Sequence, residues 1–171
     1  NNHAIRISDK QVDRTDLVNH FDNWLEDKSD SSTVYLVAAE GGGIRSAYWT
    51  ANVLAELDQR YPNFDANTYA YSSVSGGSLG TLLYRSLKKE KQGSVSERTK
   101  LMLQNDFLAP VTAALIFPDL VQKFIPFAIK RLDRARVLEH SWEKSWKELP
   151  NVHETDWSQG FLTQFSQKDV P

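Results

Sequence analysis

The stretch from Thr33 to Arg45 reads Thr-Val-Tyr-Leu-Val-Ala-Ala-Glu-Gly-Gly-Gly-Ile-Arg, and that from Thr68 to Gly80 reads Thr-Tyr-Ala-Tyr-Ser-Ser-Val-Ser-Gly-Gly-Ser-Leu-Gly. Each joins a strand-like run to a glycine cluster and then to a helix-like run. Residues 33–39 are nearly continuously apolar, as in a parallel strand covered on both faces. Residues 68–74 are rich in strand formers. Behind the first cluster, Ile44, Ala47, Tyr48, Ala51, Leu54 and Ala55 recur at spacings of three and four, predicting a buried helical face that ends at Tyr61-Pro62. Behind the second, Leu79, Leu82, Leu83 and Leu87 mark a helix fraying into Lys88-Lys89-Glu90-Lys91. The pattern is a βαβ unit over about residues 33–90, expected as a right-handed crossover with parallel strands. It sets both glycine turns at the C-terminal edge of the sheet, where open α/β sheets bind ligands.

Outward from this unit the chain reads as helical. Leu17, Val18, Phe21, Trp24 and Leu25 form a stripe before the first strand, and residues 95–149 are helical with breaks expected at Pro110, Pro118 and Pro126. Ala4 to Ser8 is a candidate third strand, and Gln92-Gly93-Ser94 a candidate flexible loop. The 171 residues leave room for one ordinary domain. With 20 Lys and Arg against 22 Asp and Glu, the net charge of −2 gives no footprint for nucleic acid. Absence of cysteine excludes disulfides, thiolate metal sites and a cysteine nucleophile, and it fits a cytoplasmic or membrane-peripheral setting. No run reaches the roughly 20 apolar residues of a membrane span, the nearest being Phe107–Phe117.

Consecutive glycines at a strand-to-helix turn expose backbone N–H groups in front of a helix N-terminus, an arrangement suited to a phosphate, a carboxylate or an oxyanion. Taken alone, Gly41-Gly42-Gly43 serves a tight turn equally well. It lacks the Gly-Lys pair of a P-loop and the last glycine of a dinucleotide fingerprint. The second cluster adds a nucleophile. A nucleophile elbow needs a serine at a sharp strand-to-helix turn with small residues two before and two after it. A literal Gly-x-Ser-x-Gly search selects Ser78, which already lies inside the helix. Ser75, at the junction itself, has Ser73 and Gly77 as its small neighbours. Ser72 and Ser73 fail because of Val74 and Tyr71.

Glu40-Gly41-Gly42-Gly43-Ile44-Arg45, followed one crossover later by Ser73-Val74-Ser75-Gly76-Gly77-Ser78-Leu79-Gly80, resembles the patatin-like phospholipase family over roughly Val34 to Leu83. The resemblance implies a three-layer α/β/α fold with a parallel sheet. It also implies a serine lipid acyl hydrolase acting through a Ser-Asp dyad, with a lipid or acyl-ester substrate, a membrane-surface contact, and no metal or organic cofactor. Carried over, Ser75 is the nucleophile, Gly41, Gly42 and Gly43 with Gly76 form the oxyanion hole, and Arg45 is the motif arginine. The family's aspartate sits in an Asp-Gly motif, and none occurs here. The expectation is therefore an N-terminal portion of one such domain, residues 1–171, with an incomplete sheet and no turnover by itself. Competing readings are a non-catalytic patatin-fold scaffold or membrane-binding protein, and an anion-binding α/β module.

Other residues are less specific. His3, His20, His140 and His153 lack a strand-end context. His140 with Glu143, and His153 with Glu154 and Asp156, lack the spacing of a zinc site. Trp142 and Trp146, one helical turn apart, suit core packing before a lipid interface. Lys123, Lys130, Arg131, Arg134 and Arg136 make either a solvated face or a patch for anionic head groups.

Overall fold

The computed structural model describes residues 16–29, 32–90, 93–125, 134–152 and 157. The candidate strand Ala4–Ser8 lies outside them, as do His3, His153, Pro126, Lys130 and Arg131. In chain order the elements are α1 (Leu17–Leu25), β1 (Tyr35–Ala39), α2 (Gly43–Arg60), β2 (Thr68–Ser73), α3 (Gly76–Lys89), α4 (Val95–Leu103), α5 (Leu108–Ala114), a π-helical turn (Leu115–Asp119), α6 (Leu120–Gln122) and α7 (Arg134–Lys147). The fold is mixed α/β, and β1 pairs with β2 in parallel.

Helix α2 buries Ala47, Thr50, Ala51, Leu54 and Ala55. That i, i+3, i+4, i+7, i+8 stripe of mostly small side chains lets α3 approach closely. Ile44 and Tyr48, expected on this face, are instead largely exposed. Ile44 comes one turn before the first buried residue of the stripe, and Tyr48 lies along its edge. Helix α3 works on two sides. Its Tyr84 packs with Ala51, Leu54 and Phe64 against Tyr35, Val37 and Tyr71 of the sheet. Its Leu83 and Leu87 join Ala47, Met102, Trp146 and Leu149 in a second core under α4 and α7. Trp146 is fully buried there and stacks on Trp157 at 5.4 Å, so the tryptophans of α7 serve the core.

The sheet departs from expectation. Among the described residues only one face of β1 is covered, and Leu36 on the other is 73% exposed. Its register pairs Tyr35 with Thr68 but Leu36 with Ala70, so two residues of β2 oppose one of β1. Both residues at the bulge are buried, Thr68 completely. Thr68 Oγ1 donates to Phe64 O at 2.7 Å, and the buried Tyr69 ring meets Phe21 and Trp24 of α1.

The prolines also act differently from the breaks expected of them. Pro110 occupies the first turn of α5, where an N–H has no intrahelical acceptor in any case. The π-helical turn absorbs Pro118, and the real interruption falls at residues 104–107. Counted through that interruption, Val95–Gln122 is helical, long and apolar enough to cross a membrane by length and composition alone, which the reading of Phe107–Phe117 as too short did not anticipate. Ser94 in the expected loop caps α4, accepting from Glu97 N.

Candidate active site

The strand ends and helix starts of the βαβ unit meet at one edge of the sheet. Val74 N donates to Ala39 O at 3.2 Å, carrying the pairing one step past β2 and fixing the end of β2 against β1. The chain then reverses at Ser75, whose φ of 53° and ψ of −122° lie far from the regions open to a residue with a Cβ. Helix α3 begins at the next residue, and Gly77 N closes the turn on Val74 O at 3.0 Å.

This turn exists because its neighbours lack side chains. A Cβ on Gly76 would lie 2.1 Å from Gly43 O, and one on Gly77 would lie 2.6 Å from Ala39 O. The first turn of α3 therefore rests directly on the backbone of the first glycine cluster. Gly80, the last residue of the literal motif around Ser78, has a packing reason of its own: a Cβ there would sit 2.4 Å from Ala47 O in α2. Ser78 is a half-buried residue within α3, with no positive φ.

The two glycine turns thus come together around Ser75. A Cβ on Gly41 would be 3.1 Å from Ser75 Cβ and 3.7 Å from its Oγ, so the Gly41 backbone lies against the serine side chain. Gly43 enters α2 with φ of 62°, in the left-handed region that glycine adopts freely. Ser46 holds the loop from behind, its Oγ donating to Glu40 O at 2.5 Å. Sequence reasoning did not select Ser46; a hydroxyl within one helical turn of the cluster was the available signal. Nor did it separate Ile44, Tyr48 and Trp49, which form an exposed apolar flank on α2 beyond the glycines and lie off the buried stripe.

Chemically, the arrangement offers a serine hydroxyl and uncommitted amides. Ser75 occupies the N-cap position of α3, where a serine ordinarily accepts a bond from the helix amides; here the side chain makes no such bond. Among the described residues, the N–H groups of Gly41, Gly42, Gly43 and Gly76 donate to no backbone acceptor outside the regular elements. Neither α2 nor α3 carries an acidic residue in its first turn, so both helix N-termini present positive partial charge here, flanked by the exposed Arg45 after the loop and the exposed Glu40 before it.

The acids and imidazoles with described partners are engaged elsewhere. Asp65 precedes β2, and with roughly 3.3 Å per residue that strand sets it about 20 Å from Ser75. There it accepts from Tyr71 OH at 3.2 Å and Arg85 Nη1 at 3.1 Å, while Lys88 bridges it to Asp58. Burial, reinforced by the Asp65 charge, pushes Tyr71 up to about 12. Burial also drives Tyr84 far above the ordinary tyrosine range. His20 Nδ1 meets Tyr69 OH at 3.1 Å, and His140 pairs with Glu143 at 3.2 Å on α7. No group of three His, Asp or Glu that could hold a metal occurs among the described residues. No family model, curated protein or solved structure matches this chain.

Proposed function

We propose that this chain carries the nucleophile and oxyanion half of a serine acyl-ester hydrolase of patatin-like architecture, acting on lipid acyl esters. One observation carries the reading: Ser75 forgoes a helix-capping bond worth about 1 kcal/mol and holds a backbone conformation costing about 1–3 kcal/mol. Both leave the hydroxyl exposed beside the Gly41 backbone.

In the proposed reaction, Ser75 Oγ adds to the ester carbonyl as its proton passes to a carboxylate. The carbonyl oxygen becomes an oxyanion held by the N–H groups of Gly41–Gly43 and Gly76, with Arg45 adding positive field. Collapse breaks the ester C–O bond, and the leaving alkoxide takes the proton from the carboxylate. Water then attacks the acyl-serine by the same route and releases the fatty acid. The carboxylate must come from outside the Asp residues described here, as the missing Asp-Gly motif implies. The 171 residues alone are expected to label slowly with a fluorophosphonate and to show no ester turnover. In a form of the protein that includes an Asp-Gly aspartate, labelling should rise about 10²–10⁴-fold, the usual worth of general-base help. Labelling unchanged by that aspartate would favour the scaffold reading. Saturable phosphate-ligand binding without labelling would favour the anion-binding one.

A further inference from the structure

Ser46 stands in the first turn of α2, just past the last glycine of the first cluster. A helical serine ordinarily turns its hydroxyl back to the carbonyl three or four residues earlier, here Gly43 or Gly42. Ser46 Oγ instead reaches out of the helix and donates to Glu40 O, where β1 runs into the glycines. Its Cβ lies 3.0 Å from where a Cβ on Gly42 would stand, so the same side chain packs on the middle glycine.

Glu40 O and the Gly41 N–H belong to one planar trans peptide and point in opposite directions. Whatever holds that carbonyl therefore also aims that amide. On one side the carbonyl is bounded by α3, since a Cβ on Gly77 would come within 2.7 Å of it. A steric boundary excludes positions without selecting one; the Ser46 hydroxyl supplies the attraction. Without it the peptide is free to turn about ψ of Glu40 and φ of Gly41, and the φ of a glycine offers little resistance. Gly41 is also the glycine whose backbone lies against Ser75, where an added Cβ would be 3.1 Å from Ser75 Cβ. Among the described residues its N–H donates to no backbone acceptor outside the regular elements.

We infer that Ser46 is a positioning residue: its hydroxyl latches the Glu40–Gly41 peptide and so sets the Gly41 N–H as an oxyanion donor beside Ser75. The inference rests on the hydrolase reading for the oxyanion itself. The measurement is the concentration dependence of fluorophosphonate labelling at Ser75 in the wild type, Ser46→Ala and Ser46→Thr. Removing one oxyanion-hole donor outright costs about 10²–10³-fold, and a loosened donor keeps part of that effect. Ser46→Ala should therefore lower the maximal labelling rate about ten- to a hundredfold and leave the half-saturating concentration unchanged. Ser46→Thr keeps the hydroxyl and should label at close to the wild-type rate. Thermal unfolding of Ser46→Ala should change little, because the higher helix propensity of alanine offsets the lost hydrogen bond. Backbone ¹⁵N relaxation should report a rigid Gly41 amide in the wild type, with an order parameter near 0.85, falling below about 0.6 in Ser46→Ala. A wild type that never labels at Ser75 would remove the hydrolase reading and this inference with it. A wild type that labels, with Ser46→Ala labelling equally fast, would overturn the inference alone. So would Ser46→Thr labelling as slowly as Ser46→Ala, or a loss of labelling that only follows a loss of thermal stability.

Discussion

The two ends of the βαβ unit are built from different materials. At the Ser75 end, contact is backbone on backbone: Gly76 against Gly43, Gly77 against Ala39 and Glu40, with almost no side chain involved. At the other end, side chains do the joining: Asp58 and Asp65 tie Lys88 and Arg85 of α3 to the ends of α2 and β2, with Tyr71 hydrogen-bonded among them. A side-chain network spends its polar groups on each other. A backbone junction leaves amides and one hydroxyl free to meet something else. The end with little side-chain pairing is therefore the one proposed to carry the chemistry.

Substitutions should separate the two ends. The largest effect is expected from Gly76→Ala, because a Cβ placed 2.1 Å from a carbonyl oxygen forces two rigid backbones apart. A loss of about 3 kcal/mol in denaturant unfolding is predicted, independent of salt, together with loss of fluorophosphonate labelling. Asp65→Asn should cost less, about 1–2 kcal/mol, because the network is partly solvated and the amide retains one acceptor. Its cost should shrink in high salt, and Ser75 labelling should survive it.

The charged end should also report through pH. In the unfolded chain Tyr71 ionises near its ordinary value of 10, whereas in the fold it holds its proton to about 12. Below pH 10 both states are protonated and the contribution to stability is constant. Above it the unfolded chain alone loses the proton, so stability falls as pH rises towards 12. Spectrophotometric titration of Asp65→Asn should move the Tyr71 transition downward without restoring 10, since burial is the larger cause. A transition unmoved by this change would detach Tyr71 from the network. The smallest effect is a gain: Ser75→Gly should raise stability by up to about 1 kcal/mol by relieving the positive φ, while abolishing labelling.

Local spacing made the βαβ unit legible. A β-period run, a glycine cluster and a 3.6-period stripe leave few other arrangements, and the observed strands and helices start within a few residues of where these signals place them. The place of Ser75 at the strand-to-helix turn was legible for the same reason, since elbow sterics rule out its neighbours using adjacent residues alone. Tertiary features were harder to read. The outward turn of Ile44 and Tyr48 depends on where α3 crosses α2, which their own spacing does not encode. Nothing in an apolar run from Thr33 to Ala39 says whether one face or two will be covered. Pro118 reads as a break, yet the backbone runs on through it as a π-helical turn. Gly80 looked like part of a catalytic motif and proved to be a helix-crossing glycine.

The central claim is that the meeting of the two glycine turns makes Ser75, and not Ser78, a reactive hydroxyl. Its most direct test is intact-mass and peptide mapping of the chain after prolonged exposure to a fluorophosphonate, compared with Ser75→Ala and Ser78→Ala. The account predicts a single adduct on the peptide containing Ser75, absent in Ser75→Ala and retained in Ser78→Ala. An adduct that persists in Ser75→Ala, or disappears only in Ser78→Ala, would contradict it.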